Sequence, residues 1–289
     1  MPANHMCLYE RGEHRVVKLN ELYEKSIAER PVLPSTPPAM TITLEKRLNS
    51  STRRIPHVWT AHVQGNTSQN GATMKTAETV YPPMLVAKIF DPVFLDEDEA
   101  YYSDAFLARD RSVYSEVKAY EKLKHLQGTL LAQFYGLFTA TLPAQHNRTV
   151  HVILLEEVPG MDLRLLLPPK VAERVCSRHR EAIFDRVLNL YLDLCDCGVN
   201  QHDMHPRNVI LRPQEHVVPG TRFCNTDDCP LTLQIDCDDF HLVMIDFECV
   251  EFEEEDFFAE MRAYRQRDLD ELKVQCREEG WLEGEMQWN

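Results

Sequence analysis

One segment decides the fold that this sequence predicts: Gly198-Val199-Asn200-Gln201-His202-Asp203-Met204-His205-Pro206-Arg207-Asn208-Val209-Ile210-Leu211. A helical pattern precedes it, and Gly198 is placed to end that helix, because glycine readily takes the left-handed conformation found after a last helical turn. A short polar loop and an apolar strand follow. The loop carries a carboxylate, Asp203, and an amide, Asn208, five positions apart. Both are also ordinary turn residues, so the pair alone does not define a site.

The composition is that of an ordinary globular protein, with 289 residues, 44% of them hydrophobic and 27% charged. The net charge of −15 argues against nucleic acid or anionic membrane as a partner, since both require an excess of Lys and Arg. No apolar run reaches the roughly 20 residues that span a bilayer, and the first residues lack a signal-peptide pattern. We therefore expect a cytoplasmic protein, with the nucleus as the alternative, whose nine cysteines are reduced thiols.

Two lobes of different character follow a polar, Pro-rich N-terminal extension over residues 1–39. Residues 40–156 are rich in strand patterns and contain one helix, from Ser112 to about Leu126. Residues 157–289 turn to helix, with a polar insert over 213–240 and an acidic tail. The expected fold is α+β and bilobal, with a mostly antiparallel sheet in the first lobe and a reduced helical second lobe.

Strands are predicted where apolar and polar residues alternate, or where an apolar run is bounded by turn residues. They cover residues 40–44, 56–63, 84–90, 131–141, 150–155, 209–211 and 242–245. The last two could pair with each other. The helix before Gly198 places its apolar residues on one face, namely Ile183, Val187, Leu190, Tyr191 and Leu194.

Single charged residues in apolar surroundings are the candidates for chemistry. Lys88 interrupts an apolar strand, and a buried ammonium needs an anionic partner unless it reaches solvent at an edge. Glu116 in the next helix is the preferred partner, with Glu121 as the competing choice and a solvated helix face as the ordinary alternative. Asp246 ends the last apolar strand, where a carboxylate is either a metal ligand or a turn cap.

Asn208 and Asp246 follow neighbouring strands and offer hard oxygen ligands, which suit Mg²⁺. Asp203 would then meet an incoming hydroxyl group and accept its proton. The sequence thus places the parts of a phosphoryl-transfer site in chain order.

Five motifs in this order resemble the protein-kinase-like superfamily. They are Val86-Ala87-Lys88-Ile89, Glu116 in the next helix, Leu154-Leu155-Glu156-Glu157-Val158-Pro159-Gly160, His202-Asp203-Met204-His205-Pro206-Arg207-Asn208 and Ile245-Asp246-Phe247-Glu248. The resemblance covers about residues 40–249 and is to a divergent kinase-like domain of fungal type. It implies that ATP and Mg²⁺ are the cofactors. It also implies the roles of the residues: Lys88 binds the α- and β-phosphates and pairs with Glu116, the backbone from Glu156 to Val158 holds adenine, Asp203 is the base, and Asn208 and Asp246 bind Mg²⁺.

Departures from the protein-kinase pattern refine this resemblance. His205-Pro206 and Glu248 are closer to the aminoglycoside phosphotransferase and choline kinase branch, and Gln201 stands where the family carries His or Tyr. The region before Lys88 contains no Gly-x-Gly-x-x-Gly, so the loop Asn49-Ser50-Ser51-Thr52 is the candidate cap over the phosphates.

The segment after Asp246 is too short for the peptide-docking lobe of protein kinases, which favours a small-molecule acceptor over a protein. The expected function is an ATP- and Mg²⁺-dependent phosphotransferase that acts on a hydroxyl group. The alternative is a pseudokinase, which keeps the fold and serves as a binding scaffold.

Four potential zinc ligands lie in the insert or just after it: Cys224, Cys229, Cys237 and His241. Thiolate and imidazole are the usual ligands of Zn²⁺. Their spacing lacks the common Cys-x-x-Cys pattern, however, and the intervening Asp residues equally suit a flexible loop. The flexible loop is the preferred interpretation.

Overall fold

The computed structural model describes residues 41–49, 56–64, 81–94, 105–142, 147–166, 174–213 and 220–252. They fall into two compact units. The first unit holds the described residues up to Lys118 together with Gln133–Glu157, and the second holds Ala119–Ala132 and the described residues from Val158 onward. The predictions for the N-terminal extension, for residues 50–52 of the phosphate-capping loop and for the acidic tail lie outside the described residues.

The first unit is built on one five-stranded antiparallel sheet in the order β1-β2-β3-β5-β4. Its strands are β1 (Thr41–Arg47), β2 (His57–Gln64), β3 (Met84–Phe90), β4 (Phe134–Leu142) and β5 (Arg148–Glu156). The apolar strand β3 lies at the centre of the sheet, where both of its edges are paired. The predicted antiparallel sheet is therefore confirmed.

One face of this sheet carries a hydrophobic cluster to which β3 contributes Leu85 and Ala87. Because successive side chains of a strand point to opposite faces, Val86 and Lys88 lie on the other face. Helix α1 (Ala105–Lys122) supplies Glu116 to Lys88. The alternation of side chains along β3 thus places the ammonium of Lys88 against helix α1.

Helix α1 begins at Ala105, seven positions before the predicted start at Ser112. The extra turns contain Arg109 and Asp110, which resemble a solvated segment in the sequence. Both are buried, and they form an ion pair with each other. Arg109 also lies over the ring of Phe106, 5.6 Å from its centroid. Neighbouring opposite charges that satisfy each other allow the helix to extend through a polar stretch.

The second unit contains one long helix among the described residues, α2 (Ser177–Asp196), and two small antiparallel sheets. Its strands are β6 (Met161–Asp162), β7 (Val199–Gln201), β8 (Val209–Arg212), β9 (His241–Met244) and β10 (Val250–Phe252). They form the sheets β6-β8-β9 and β7-β10. Single 3₁₀ turns over the described chain are Pro92–Phe94, Lys124–Leu126, Leu163–Leu166 and Pro206–Asn208.

Gly198 ends helix α2 as predicted. Its φ is +70°, and its N–H donates to the carbonyl of Cys195 at 2.7 Å. This left-handed glycine turns the chain from the helix into β7, which leads into the polar loop of Asp203 and Asn208.

The insert between β8 and β9 is packed against α2 over its described residues. Leu231, Ile235 and Phe240 are buried, and the guanidinium of Arg186 on α2 lies 4.1 Å from the centroid of the Phe240 ring. The same guanidinium donates to the carbonyl of Asp238 at 2.8 Å. Over its described residues the insert is therefore packed, with buried apolar side chains among its polar Asp and Thr residues.

The described chain is mixed α+β, with an antiparallel five-stranded sheet, few helices and two compact units. The predicted α+β fold class, with an antiparallel sheet in the first unit, is confirmed. Among the described helices, none combines the length and the apolar character that crossing a bilayer requires.

Candidate functional site

Lys88 and Glu116 form a buried ion pair in the first unit. Lys88 Nζ lies 2.6 Å from Oε1 and 2.7 Å from Oε2 of Glu116. The side chains are 4% and 0% exposed, whereas the competing Glu121 is exposed. The contact selects Glu116 as the partner, as the sequence predicts. A role for either residue at a nucleotide stays a prediction.

The polar loop of the second unit is held between two strand pairings. Before the loop, Gln201 of β7 is opposite Val250 of β10. After the loop, Val209 of β8 is opposite Met244 of β9. The ladder continues one step further, because the N–H of Ile245 donates to the carbonyl of Asn208 at 3.0 Å. These pairings bring the loop of residues 202–208 beside the turn that carries Asp246.

Three side chains of the loop converge on one another. The amide nitrogen of Asn208 donates to Oδ2 of Asp203 and to its backbone carbonyl, each at 3.0 Å. The guanidinium of Arg207 donates to the same Oδ2 at 2.8 Å. Because Nδ2 of Asn208 is directed at Asp203, the carbonyl oxygen Oδ1 is the atom of that side chain available to a cation.

Gln201 connects this loop to Asp246, a role that the sequence did not reveal. Its Nε2 donates to the backbone carbonyl of Asp246 at 2.6 Å, and its Oε1 accepts from the N–H of Asp203 at 3.0 Å. The side chain is 4% exposed, and a buried amide requires such partners. One clue was present in the sequence, since Gln201 lies two positions after the buried Val199 and therefore on the same face of a strand.

His205 shapes the turn that presents Asn208. It precedes the 3₁₀ turn Pro206–Asn208, and its Nδ1 accepts from the N–H of Arg207 at 3.3 Å. Burial lowers the pKa of His205 below its ordinary value of 6.5, and the nearby charge of Arg207 lowers it further, against the opposing influence of Asp203. A neutral imidazole with an unprotonated Nδ1 is the form that caps this turn.

Asp246 lies in a turn of its own, where Oδ1 accepts from the N–H of Glu248 at 3.3 Å. With Asn208 it offers the carboxylate and amide oxygens that Mg²⁺ prefers. The donor set of the second unit therefore fits a hard divalent cation, and Asp203 adds a carboxylate within the same hydrogen-bonded loop.

The residues predicted to hold adenine lie at the division between the units. Glu156 ends β5 in the first unit, where its N–H donates to the carbonyl of Gln133 at 2.8 Å and its Oε2 accepts from the N–H of Gln133 at 3.0 Å. Val158 is the first residue of the second unit after Glu157. Adenine binding by this backbone stays a prediction.

Asn49, the described part of the predicted phosphate-capping loop, is used within the sheet. Its Nδ2 donates to the carbonyl of Pro56 at 2.7 Å, and its Oδ1 accepts from the N–H of Val58 at 3.1 Å. These bonds join the end of β1 to the start of β2.

No family model matches this sequence. The search of curated proteins also finds no match. Among solved structures, the chain is similar to "WaaP in complex with acyl carrier protein", with 16% sequence identity and a TM-score of 0.41. The similarity covers 73% of this chain and 64% of that chain.

Proposed function

We propose that this protein is an ATP- and Mg²⁺-dependent phosphotransferase that acts on a hydroxyl group, with a small molecule as the acceptor. One observation carries the proposal: Gln201 joins the backbone of Asp203 to that of Asp246, while Asn208 donates to Asp203. A carboxylate, an amide and a second carboxylate are thereby gathered by partly buried hydrogen bonds. Phosphoryl transfer of the kinase type uses such a combination of groups.

The residues take the following roles in this proposal. Asp203 accepts the proton of the hydroxyl that attacks the γ-phosphorus, and ADP leaves with the bridging oxygen. Asn208 and Asp246 hold Mg²⁺, which supplies positive charge to the phosphate oxygens when bound. The ammonium of Lys88 binds the α- and β-phosphates, and Glu116 fixes its position. The backbone from Glu156 to Val158 receives adenine.

A scaffold function is the second candidate, and a specific contact favours it. Oδ2 of Asp203 is already engaged by both Arg207 and Asn208. An acceptor hydroxyl would have to compete with these two donors for that oxygen atom. The enzyme therefore requires that an acceptor hydroxyl approach Oδ1, or that it displace Arg207.

Nucleotide binding separates these candidates at the first step. Saturating ATP with Mg²⁺ is expected to raise the melting temperature of the purified chain, because ligand at about a hundred times Kd adds about 2.7 kcal/mol of stability. Asp246→Asn should remove most of the Mg²⁺-dependent part of this shift. Asp185→Asn, at an exposed position on α2, is the matched control and should retain it.

Two results would contradict the proposed enzymatic function. An unchanged melting temperature at millimolar ATP and Mg²⁺ would remove its basis, and so would a shift that is equal with and without Mg²⁺. Binding without turnover would favour the scaffold.

A further inference from the structure

A second group of reactive side chains lies in the second unit, at the start of helix α2. It consists of Cys176, His179, Cys224 and Cys229, whose potential ligand atoms all lie within 4.8 Å of one another. His179 Nδ1 is 3.1 Å from Sγ of Cys176 and 3.5 Å from Sγ of Cys229. In a tetrahedral zinc site with Zn–S near 2.3 Å and Zn–N near 2.0 Å, ligand atoms are about 3.5 to 3.8 Å apart. The two distances from His179 are close to this range, and all pairs are near enough for one ion to draw the four atoms together.

The imidazole of His179 is oriented to serve as a ligand. Its Nε2 lies 2.9 Å from the backbone carbonyl of Ile235, and since a carbonyl only accepts, Nε2 must carry the hydrogen. The lone pair is then on Nδ1, the nitrogen that faces the thiols. A metal-bound histidine is typically held by a hydrogen bond of this kind from its other nitrogen to a backbone carbonyl.

The group is enclosed by the protein. His179, Cys224 and Cys229 are 0%, 7% and 4% exposed, and Cys176 is half-buried. Oγ1 of Thr232 donates to the carbonyl of Thr226 at 3.0 Å and lies 2.9 Å from Sγ of Cys224. Three sulfur atoms and one nitrogen fill all four positions of a tetrahedron, which is the arrangement of structural zinc sites and leaves no position for a substrate.

The four residues come from two segments far apart in the chain. Cys176 and His179 flank the first turn of α2, with Cys176 as the residue that precedes the helix. Cys224 and Cys229 belong to the insert, which follows β8, the strand after Asn208, and precedes β9, the strand before Asp246. A metal bound here would join the insert to the helix that leads into the polar loop.

We infer that Cys176, His179, Cys224 and Cys229 form a structural Zn²⁺ site that fastens the insert to the start of α2. Two of these ligands, Cys224 and Cys229, belong to the set considered from the sequence. The other two replace Cys237, which is not in the cluster, and His241, which is exposed on β9. This site is independent of the proposed phosphotransferase activity.

Metal content tests the inference directly. The full chain, purified under reducing conditions without added chelator, should carry about one zinc per molecule by native mass spectrometry and elemental analysis. Cys224→Ser and Cys229→Ser should each lose most of this zinc. Cys237→Ser, which removes another buried thiol of the same insert, is the matched control and should keep it.

X-ray absorption at the zinc edge of the wild-type protein tests the ligands without any variant. Three sulfur and one nitrogen neighbours, at about 2.3 and 2.0 Å, are expected. A wild-type chain without stoichiometric zinc would overturn the inference, as would zinc bound through nitrogen and oxygen alone. A mass that reveals a disulfide between two of the three cysteines, or an equal loss of zinc in Cys237→Ser, would overturn it as well.

Discussion

The ion pair of Lys88 and Glu116 is sensitive to substitution because both side chains are buried. With side chains 4% and 0% exposed, neither charge is well hydrated, so each depends on the other for its stabilisation. Replacing both members of a buried pair by apolar groups is often nearly neutral, whereas removing one member leaves a costly buried charge. Replacing only one member of the pair is therefore expected to be poorly tolerated, although the intact pair contributes little net stability.

A double-mutant cycle on this pair should reveal strong coupling. Lys88→Met and Glu116→Leu are each expected to lower the free energy of unfolding by about 3 to 5 kcal/mol. The double variant should lose less than the sum of the two, because it leaves no isolated charge. Unfolding in urea measures all four proteins.

The exposed pair of Arg222 and Asp227, with side chains 50% and 88% exposed, is the control for this cycle. Its removal should cost less than about 1 kcal/mol. Additive losses at Lys88 and Glu116 would show that the two charges are not coupled.

The pH dependence of stability should report the turn capped by His205. Because burial and Arg207 lower its pKa in the folded chain below 6.5, the unfolded chain binds a proton that the folded chain resists. The contribution of His205 to the free energy of unfolding is therefore complete above the ordinary pKa of 6.5. It decreases as the pH falls from there toward the lower pKa of the folded chain.

His205→Asn keeps a side-chain acceptor for the N–H of Arg207 and removes the titration. We expect the wild type to lose stability relative to this variant as the pH decreases. The free energy of unfolding of both proteins, measured from pH 7.5 to 5, tests this. A difference that stays constant over this range would contradict the proposed cap.

Contacts within regular patterns could be predicted from the sequence, and contacts between distant loops could not. Lys88 and Glu116 lie in a strand and a helix whose periodicity limits where their side chains point. Gln201 is bonded to Asp246, 45 positions away, and no local pattern encodes that distance. The same reason hid Cys176 and His179, since their partners in the insert follow about 45 to 53 residues later.

At the scale of elements, the short strand β6 depends on a close backbone approach. Gly160 precedes it with a φ of +141°, and a Cβ at this position would collide with the carbonyl oxygen of Leu211 in β8. Only glycine combines this conformation with this contact. The pairing of β6 with β8 therefore requires Gly160, and β8 is the strand that follows Asn208.

Gly160→Ala should destabilise the protein by about 3 kcal/mol or more, because strain at a positive φ adds to the steric collision. Gly220→Ala is the matched control: its φ is +86°, and no described atom lies within 4 Å of an added Cβ. That variant should cost only the conformational strain, about 1 to 2 kcal/mol. Equal losses in thermal or chemical unfolding would argue against the close approach at Leu211.

The boundaries of the elements show where sequence patterns succeed. Strand β3 has the predicted bounds of residues 84–90, since its apolar run is closed by Asp91-Pro92. Helix α1 extends further because Arg109 and Asp110 neutralise each other. The buried surface of α2 is also broader than one stripe, including Leu188 and Leu192. Packing against tertiary partners, and not local propensity, determined the broader buried surface of α2.

At the scale of the molecule, the two units hold different parts of the proposed chemistry. The first carries the cation of Lys88, and the second carries the carboxylates and amide around Asp203. The net charge of the chain is −15, so its overall field repels an anionic nucleotide. The local positive charge of Lys88 is therefore important to the proposed binding of phosphates. The proposed zinc site would add a metal that stabilises the second unit without joining the reaction.

ATP turnover in the presence of Mg²⁺, measured as ADP formed by wild type and by Asp203→Asn, tests the central claim most directly. The proposal predicts measurable turnover by the wild type and a decrease of about 10² to 10⁴-fold in the variant, since Asp203 accepts the proton in the transfer step. Asp185→Asn should match the wild type. Equal rates for wild type and Asp203→Asn, or a wild-type rate no greater than that of buffer, would contradict the claim.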